Sequence, residues 1–146
     1  MPDKKTLERA RRDARQGKSA STQAGEFVRE QIHHIREGKH GARSAKQAIA
    51  IGLSEARRAG VRLRPSRAAS AETRRKAKRD LEQGRKGAKP SRSRTLARIR
   101  ALRKEGSSAA STRSLSRQAR AAAARRSPAE RSAAARLAAR TRARHA

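Results

Sequence analysis

Only 16 of the 146 residues are Leu, Ile, Val or Phe, and they must organise a chain whose formal net charge is +29. That is about 11% of the chain, below the roughly 20% under which highly charged sequences stay disordered. The abundant apolar residue is instead alanine, present 32 times. Alanine has the highest helix propensity but removes little area from water. Such a chain makes helices easily and packs them thinly. The expectation is an all-α protein: a small helical module of about three helices, then further short helices in a basic, partly disordered arm.

Glycines and hydroxyl caps mark out the segments. The first, about Lys4–Gln16, ends at Gly17, and the second runs from Ser21 or Thr22 to a stop at Gly38. The third opens at Ser44, where Ser44-Ala45-Lys46-Gln47 fits a capping box, and ends before Gly60. Pro65 marks a break. A fourth segment runs from Ala71 to a stop at Gly84, a fifth from Arg92 to Gly106 and a sixth from Thr112 to Arg126. The seventh opens with Ser127-Pro128-Ala129-Glu130, a capping box with proline at the first helical position.

Helical periodicity is clearest in the second and third segments. Ala24, Phe27, Val28, Ile32 and Ile35 share one arc, and Ala45, Ala48, Ile49, Gly52, Leu53 and Ala56 share another. Ile51 lies off the second arc, so that segment needs a further neighbour; Leu7, Val61 and Leu63 are candidates to cover it. The resulting division is a three-helix module over 1–63, a linker over 64–70, a possible degenerate second helical repeat over 71–126, and a basic Ala/Arg tail helix over 127–146. The repeat reading rests on matches such as Arg12-Asp13 through Gly17 with Arg79-Asp80 through Gly84, and Arg36-Glu37-Gly38 with Lys104-Glu105-Gly106. So thin a core also leaves room for self-association.

Charge is graded along the chain. Residues 1–60 carry 14 Lys or Arg against 7 Asp or Glu, whereas residues 61–146 carry 27 against 5. A field of this sign attracts polyanions, so duplex DNA is the expected partner and RNA an alternative. Cysteine is absent, which excludes disulfides and Cys-based zinc sites. Phe27 is the only aromatic residue, so base stacking on aromatic platforms is nearly excluded. No apolar run approaches the ~18–20 residues of a membrane span, and the N-terminus lacks a signal-peptide core. A soluble intracellular protein is the expectation.

Several constellations invite a chemical reading. The Gly38–Ser44 loop leads into a helix N-terminus, where free amides favour an anion and Lys39, Arg43 and Lys46 can add direct charge around one phosphate. The second and third segments also read as a long-turned helix-turn-helix that would offer Lys46, Gln47, Ala50, Ser54 and Arg57 to a major groove. His33 and His34 point about 100° apart on a helix, and without acidic or Cys companions no metal site is expected. The acids are scattered singly and no nucleophile stands beside a base, so neither catalysis nor a cofactor is expected. From Arg113 to Arg144, arginines alternate with alanine runs, and phosphates would cancel the repulsion among those arginines. The candidate nucleic-acid contacts are Lys39, His40, Arg43, Ser44, Lys46, Arg57, Arg58, Arg62, Arg64, Arg74, Arg75, Arg113, Arg117, Arg120, Arg125, Arg126, Arg136 and Arg140.

The stretches Gly25–Gly41 and Ser44–Gly60, and above all Lys46-Gln-Ala-Ile-Ala-Ile-Gly-Leu-Ser-Glu-Ala56, carry a resemblance. The chain resembles a bacterial family of small basic proteins catalogued only as a domain of unknown function. Its Arg/Ala/Ser-rich remainder is similar in composition to bacterial linker-histone-like tails. The resemblance implies a bacterial cytoplasm, with nucleoid DNA as the abundant ligand. The expected function is sequence-independent DNA binding or condensation by phosphate neutralisation. The alternatives are an RNA- or ribosome-associated protein and a cationic membrane-surface protein.

Overall fold

A computed structural model describes residues 1–87 and 89–146, and among them every regular element is a helix. In chain order these are α1 (Lys4–Arg15), α2 (Ala20–Arg36), α3 (Ala45–Arg58), α4 (Ala71–Lys86), α5 (Arg92–Arg103), a 3₁₀ turn (Ser108–Ala110), α6 (Thr112–Ala124) and α7 (Pro128–His145). The all-α expectation is borne out. The partly disordered arm is not what the structure contains: residues 112–145 form two helices joined at Arg125–Ser127. Their alanines favour helix, and Ser111 and Ser127 each cap a first turn by accepting an amide.

Local signals account for most boundaries. Ser19 caps α2, slightly earlier than the Ser21 or Thr22 start, by accepting the Thr22 amide. Ser44 caps α3 through the Gln47 amide, while Gln47 reaches back to the amide of Arg43 rather than of Ser44. At α7 the full reciprocal box between Ser127 and Glu130 forms as its sequence predicts. The exception is α4, which runs through Gly84 and ends at Gly87 in the left-handed region (φ 59°). Gly84 is there for packing, since a Cβ at that position would collide with the Arg57 carbonyl oxygen. Gly17 (φ 69°) and Gly38 (φ 71°) do end helices, but their matches at the 67–68 offset, Gly84 and Gly106, take no positive φ. The matched glycines therefore serve different backbone purposes.

Two small clusters form the core. In the first, Phe27 packs with Ala10, Ala24, Ala56 and Val61, flanked by Leu7, Leu53 and Leu63. The arcs read from α2 and α3 thus face inward as their spacing requires. In the second, Ile32, Ile35, Ala42 and Ala48 are closed by Ala109 and Ala110 of the 3₁₀ turn, with Val28 and Leu115 alongside. Helix α4 packs on α3, and the 3₁₀ turn and α6 meet the α2–α3 pair. Backbones approach closely where side chains are small. A Cβ at Gly52 would lie 2.6 Å from the Val28 Cα, so α2 and α3 touch through glycine.

Because apolar area is scarce, buried acids act as cross-ties. Asp80 of α4 is 2% exposed and accepts from both Ser54 (2.7 Å) and Arg58 (2.8 Å) of α3. Glu55 of α3 accepts from Gln31 of α2 (2.8 Å) and Arg98 of α5 (3.1 Å). Glu30 of α2 accepts the Asp3 amide (2.8 Å), and Asp13 pairs with Lys18 (2.8 Å). Hydrogen bonds to charged groups contribute about 1.5–3 kcal/mol each, comparable to burying one aliphatic side chain.

Candidate functional site

The basic surface is built from helices that differ in what else they do. In α6 and α7, and at the corner between them, Arg113, Arg117, Arg120, Arg125, Arg126, Arg136 and Arg140 are all exposed. None of them takes part in an ion pair among the described residues, and Glu130 is the only acid after Glu105. Helix α7 buries no residue. At the corner, Arg131 donates to the Arg126 carbonyl (3.0 Å), satisfying an acceptor that the helix end leaves open. The two consecutive helices thus present a series of exposed arginines outside any ion pair among the described residues. Arg62, Arg64, Arg74 and Arg75 add further exposed cations along the Val61–Pro65 strap and the first turns of α4.

The Gly38–Ser44 loop is arranged differently from the anion cradle its sequence suggests. The Gly41 amide donates to Leu102 (2.9 Å), the Ala42 amide to Gly106 (3.0 Å) and the Arg43 amide to Gln47 (2.7 Å). These three loop amides are engaged within the protein, as is the Gln47 amide by Ser44, and the loop serves as a latch on the end of α5. Lys39 pairs with Glu37 at 2.9 Å, which raises the Lys39 pKa and lowers that of Glu37. His40 is half-buried with Nδ1 3.0 Å from the Gly41 carbonyl oxygen. Arg43 and Lys46 remain exposed, and Ser44 is occupied as a cap.

Two other expected contacts need correction. Arg57 is 8% exposed and its Nε donates to the Leu63 carbonyl (2.9 Å), so it braces the strap after α3 instead of facing a ligand. Burial pushes its pKa down, with Asp80 opposing. Arg58 is tied to Asp80. With Ser54 bonded to the same carboxylate, α4 covers the face that a recognition helix would offer. The helix-turn-helix reading therefore fails at the C-terminal half of α3, although Lys46 and Ala50 stay exposed.

Tertiary packing assembles two groupings that spacing did not suggest. An open cleft of about 400 Å³ is lined by Arg36, Ser107, Ser108, Ala110, Ser111 and Thr112. Arg36 is held at its edge by donation from Nε to the Ala110 carbonyl (3.0 Å). Its lining of hydroxyls and one guanidinium suits a phosphate oxygen better than an apolar ligand. Nothing local linked residue 36 to residue 110. The second grouping is Asp3, Glu30 and His34, whose ligand-capable atoms lie within 4.8 Å of one another. The expectation that the histidines lack acidic companions is thus wrong for His34. The four-residue spacing of Glu30 and His34 on one helix was the available signal.

Residues 4–67 match a family described as a family of unknown function (DUF6496), so the resemblance to a family of unknown function, read from residues 25–41 and 44–60, is borne out to that extent. No curated protein and no solved structure matches the chain. No helix is long and apolar enough to cross a membrane among the described residues.

Proposed function

We propose that this chain is a non-enzymatic binder of duplex DNA that works through phosphate contacts, without strong base-sequence preference. The observation that carries the reading is the run of exposed arginines on α6 and α7, which have neither acidic partners nor packing duties among the described residues. Arginine holds phosphate oxygens through a planar fork, and each phosphate neutralised releases counterions. Helices of 13 and 18 residues with little packing are marginal in water. Phosphate binding relieves their internal repulsion, so arm folding and ligand binding reinforce each other. The more acidic N-terminal portion, with its cross-ties, anchors that arm and adds Arg43, Lys46, Arg62 and Arg64 at its own surface. In a bacterial cell, the nucleoid would supply the ligand.

A salt-titrated binding series on duplex DNA and on structured RNA of equal length tests this directly. The expected result is a log–log slope of several units on DNA and little difference among duplex sequences. Affinity nearly unchanged between 50 and 300 mM salt would overturn the reading (both concentrations are roughly those at which counterion release is resolved). Tighter binding to RNA at matched salt would redirect it to a ribosome- or RNA-associated role.

A further inference from the structure

We propose that Asp3, Glu30 and His34 form a binding site for a divalent first-row transition metal of the Zn²⁺ type. Three independent features of the cluster point to a ligand.

The first is an unpartnered atom. Glu30 is 4% exposed; its Oε1 accepts the Asp3 amide, whereas its Oε2 is buried without a hydrogen-bond partner. A buried, unpaired carboxylate oxygen is costly, and a cation held by both oxygens of Glu30, of which Oε1 stands 3.8 Å from His34 Nε2, removes that cost.

The second is a diverted cap. Aspartate is among the best N-cap residues, and Asp3 occupies the N-cap of α1, yet its side chain makes no capping bond. Its Oδ2 lies instead 3.5 Å from His34 Nε2.

The third is spacing. His34 Nε2 stands 3.5 Å from Asp3 Oδ2 and 3.8 Å from Glu30 Oε1, both too long for an N–H···O hydrogen bond. Two ligands on one tetrahedral zinc, with bonds of about 2.0–2.2 Å, are separated by roughly 3.3–3.6 Å. The gap is thus wider than a hydrogen bond and close to the separation of ligands sharing an ion.

The ligand chemistry narrows the choice. Imidazole nitrogen favours zinc, copper, iron or nickel over magnesium and calcium, which prefer all-oxygen sites. Two carboxylates balance a divalent charge, which matters in a chain so positive overall. Asp3 is exposed, so water has access to a remaining coordination position. His40 packs edge-on against His34 with ring centroids 6.0 Å apart, limiting the directions His34 can take. A bound ion would fasten the N-terminal residues to α2, extending to the chain's start the ties that the buried acids make elsewhere.

The test is calorimetric titration of the chelator-treated full chain with Zn²⁺ alone. Wild type should bind one equivalent with a Kd on the order of 10 μM or below. Glu30→Gln, which keeps an acceptor for the Asp3 amide, and His34→Ala should each weaken binding at least roughly ten-fold. His33→Ala, which alters an exposed neighbour, should stay within about two-fold, since removal of a ligand rather than surface change sets such effects. Should a core-facing variant fail the circular-dichroism check of helix content, the exposed substitution Asp3→Asn decides, and it too must weaken binding. Absence of Zn²⁺ binding by wild type overturns the site. So does Zn²⁺ binding by the folded variants at wild-type affinity.

Discussion

Arg58 Nε of α3 donates to Asp80 Oδ1 of α4 over 2.8 Å, and it does so where the carboxylate is almost wholly enclosed and the guanidinium is half open to water. The asymmetry decides which partner matters. Arg58 can be resolvated if the bond breaks, whereas Asp80 has no water to turn to. Asp80→Ala should therefore loosen α4, leaving Ser54 without its acceptor, and lower stability by about 1–3 kcal/mol. The midpoint of urea unfolding measures this, and amide exchange in α4 should quicken first.

Two glycines in neighbouring helices should respond to alanine in opposite directions. At Gly52 the new Cβ would meet the Val28 Cα at 2.6 Å and the Val28 nitrogen at 2.8 Å, forcing α2 and α3 apart. A destabilisation of about 1–3 kcal/mol is expected. At Gly25 nothing lies within 4 Å of the added methyl, so Gly25→Ala should add about 0.5–1 kcal/mol through helix propensity alone. Thermal unfolding of both variants checks the pair.

Arg57 and the tail arginines should separate stability from affinity. Arg57→Ala removes a buried donor to the Leu63 carbonyl and should lower unfolding stability by about 1.5–3 kcal/mol while leaving the salt slope of DNA binding intact. Arg125→Ala and Arg126→Ala should do the reverse. Urea unfolding and salt-titrated binding, run on the same variants, separate the two effects.

Deletion of residues 127–146 provides the corresponding test on a larger scale. The segment contains five arginines and one acid, and α7 buries nothing. Unfolding of the remainder should be unchanged, while the salt slope falls by up to about 0.9 for each phosphate no longer neutralised. A cut after Pro65 would be a poorer experiment, since it also removes Asp80, Ala109 and Ala110 from the body of the fold.

The start of α7 should be sensitive to acid. The Ser127 amide donates to Glu130 Oε2 at 2.7 Å and holds the Glu130 carboxyl below the ordinary carboxylate range. The folded cap favours the ionised form, so its contribution is full at neutral pH and fades as pH falls through that lowered value. Glu130→Gln should remove most of the pH response. The Ser127 amide resonance, followed by NMR between neutral and acidic pH, reports it.

How far the sequence led is visible at particular residues. Ser44, Ser127 and the arcs through Phe27 and Ala48 were legible because capping and helical periodicity are local. Arg57 was misread because periodicity cannot tell a buried cation from an exposed one when its acceptor, Leu63, lies beyond the helix. Gly84 looked like a stop signal because close backbone packing and left-handed termination both select glycine. Ala109 and Ala110 did not stand out from the other alanines, although they close the second core cluster. Asp3, Glu30 and His34 come together only when the chain's first residues lie against α2.

The hydrogen bond from Arg36 to Ala110 spans 74 residues and has a consequence for biosynthesis. At synthesis rates of ~5–20 residues per second, roughly 4–15 s pass between the emergence of its two sides from the ribosome. During that interval the patch around Ile32 and Ile35 lacks its later lid and lies open to other nascent chains. Two small alanines thus govern how long a growing polypeptide remains adhesive, a vulnerability the finished molecule no longer displays.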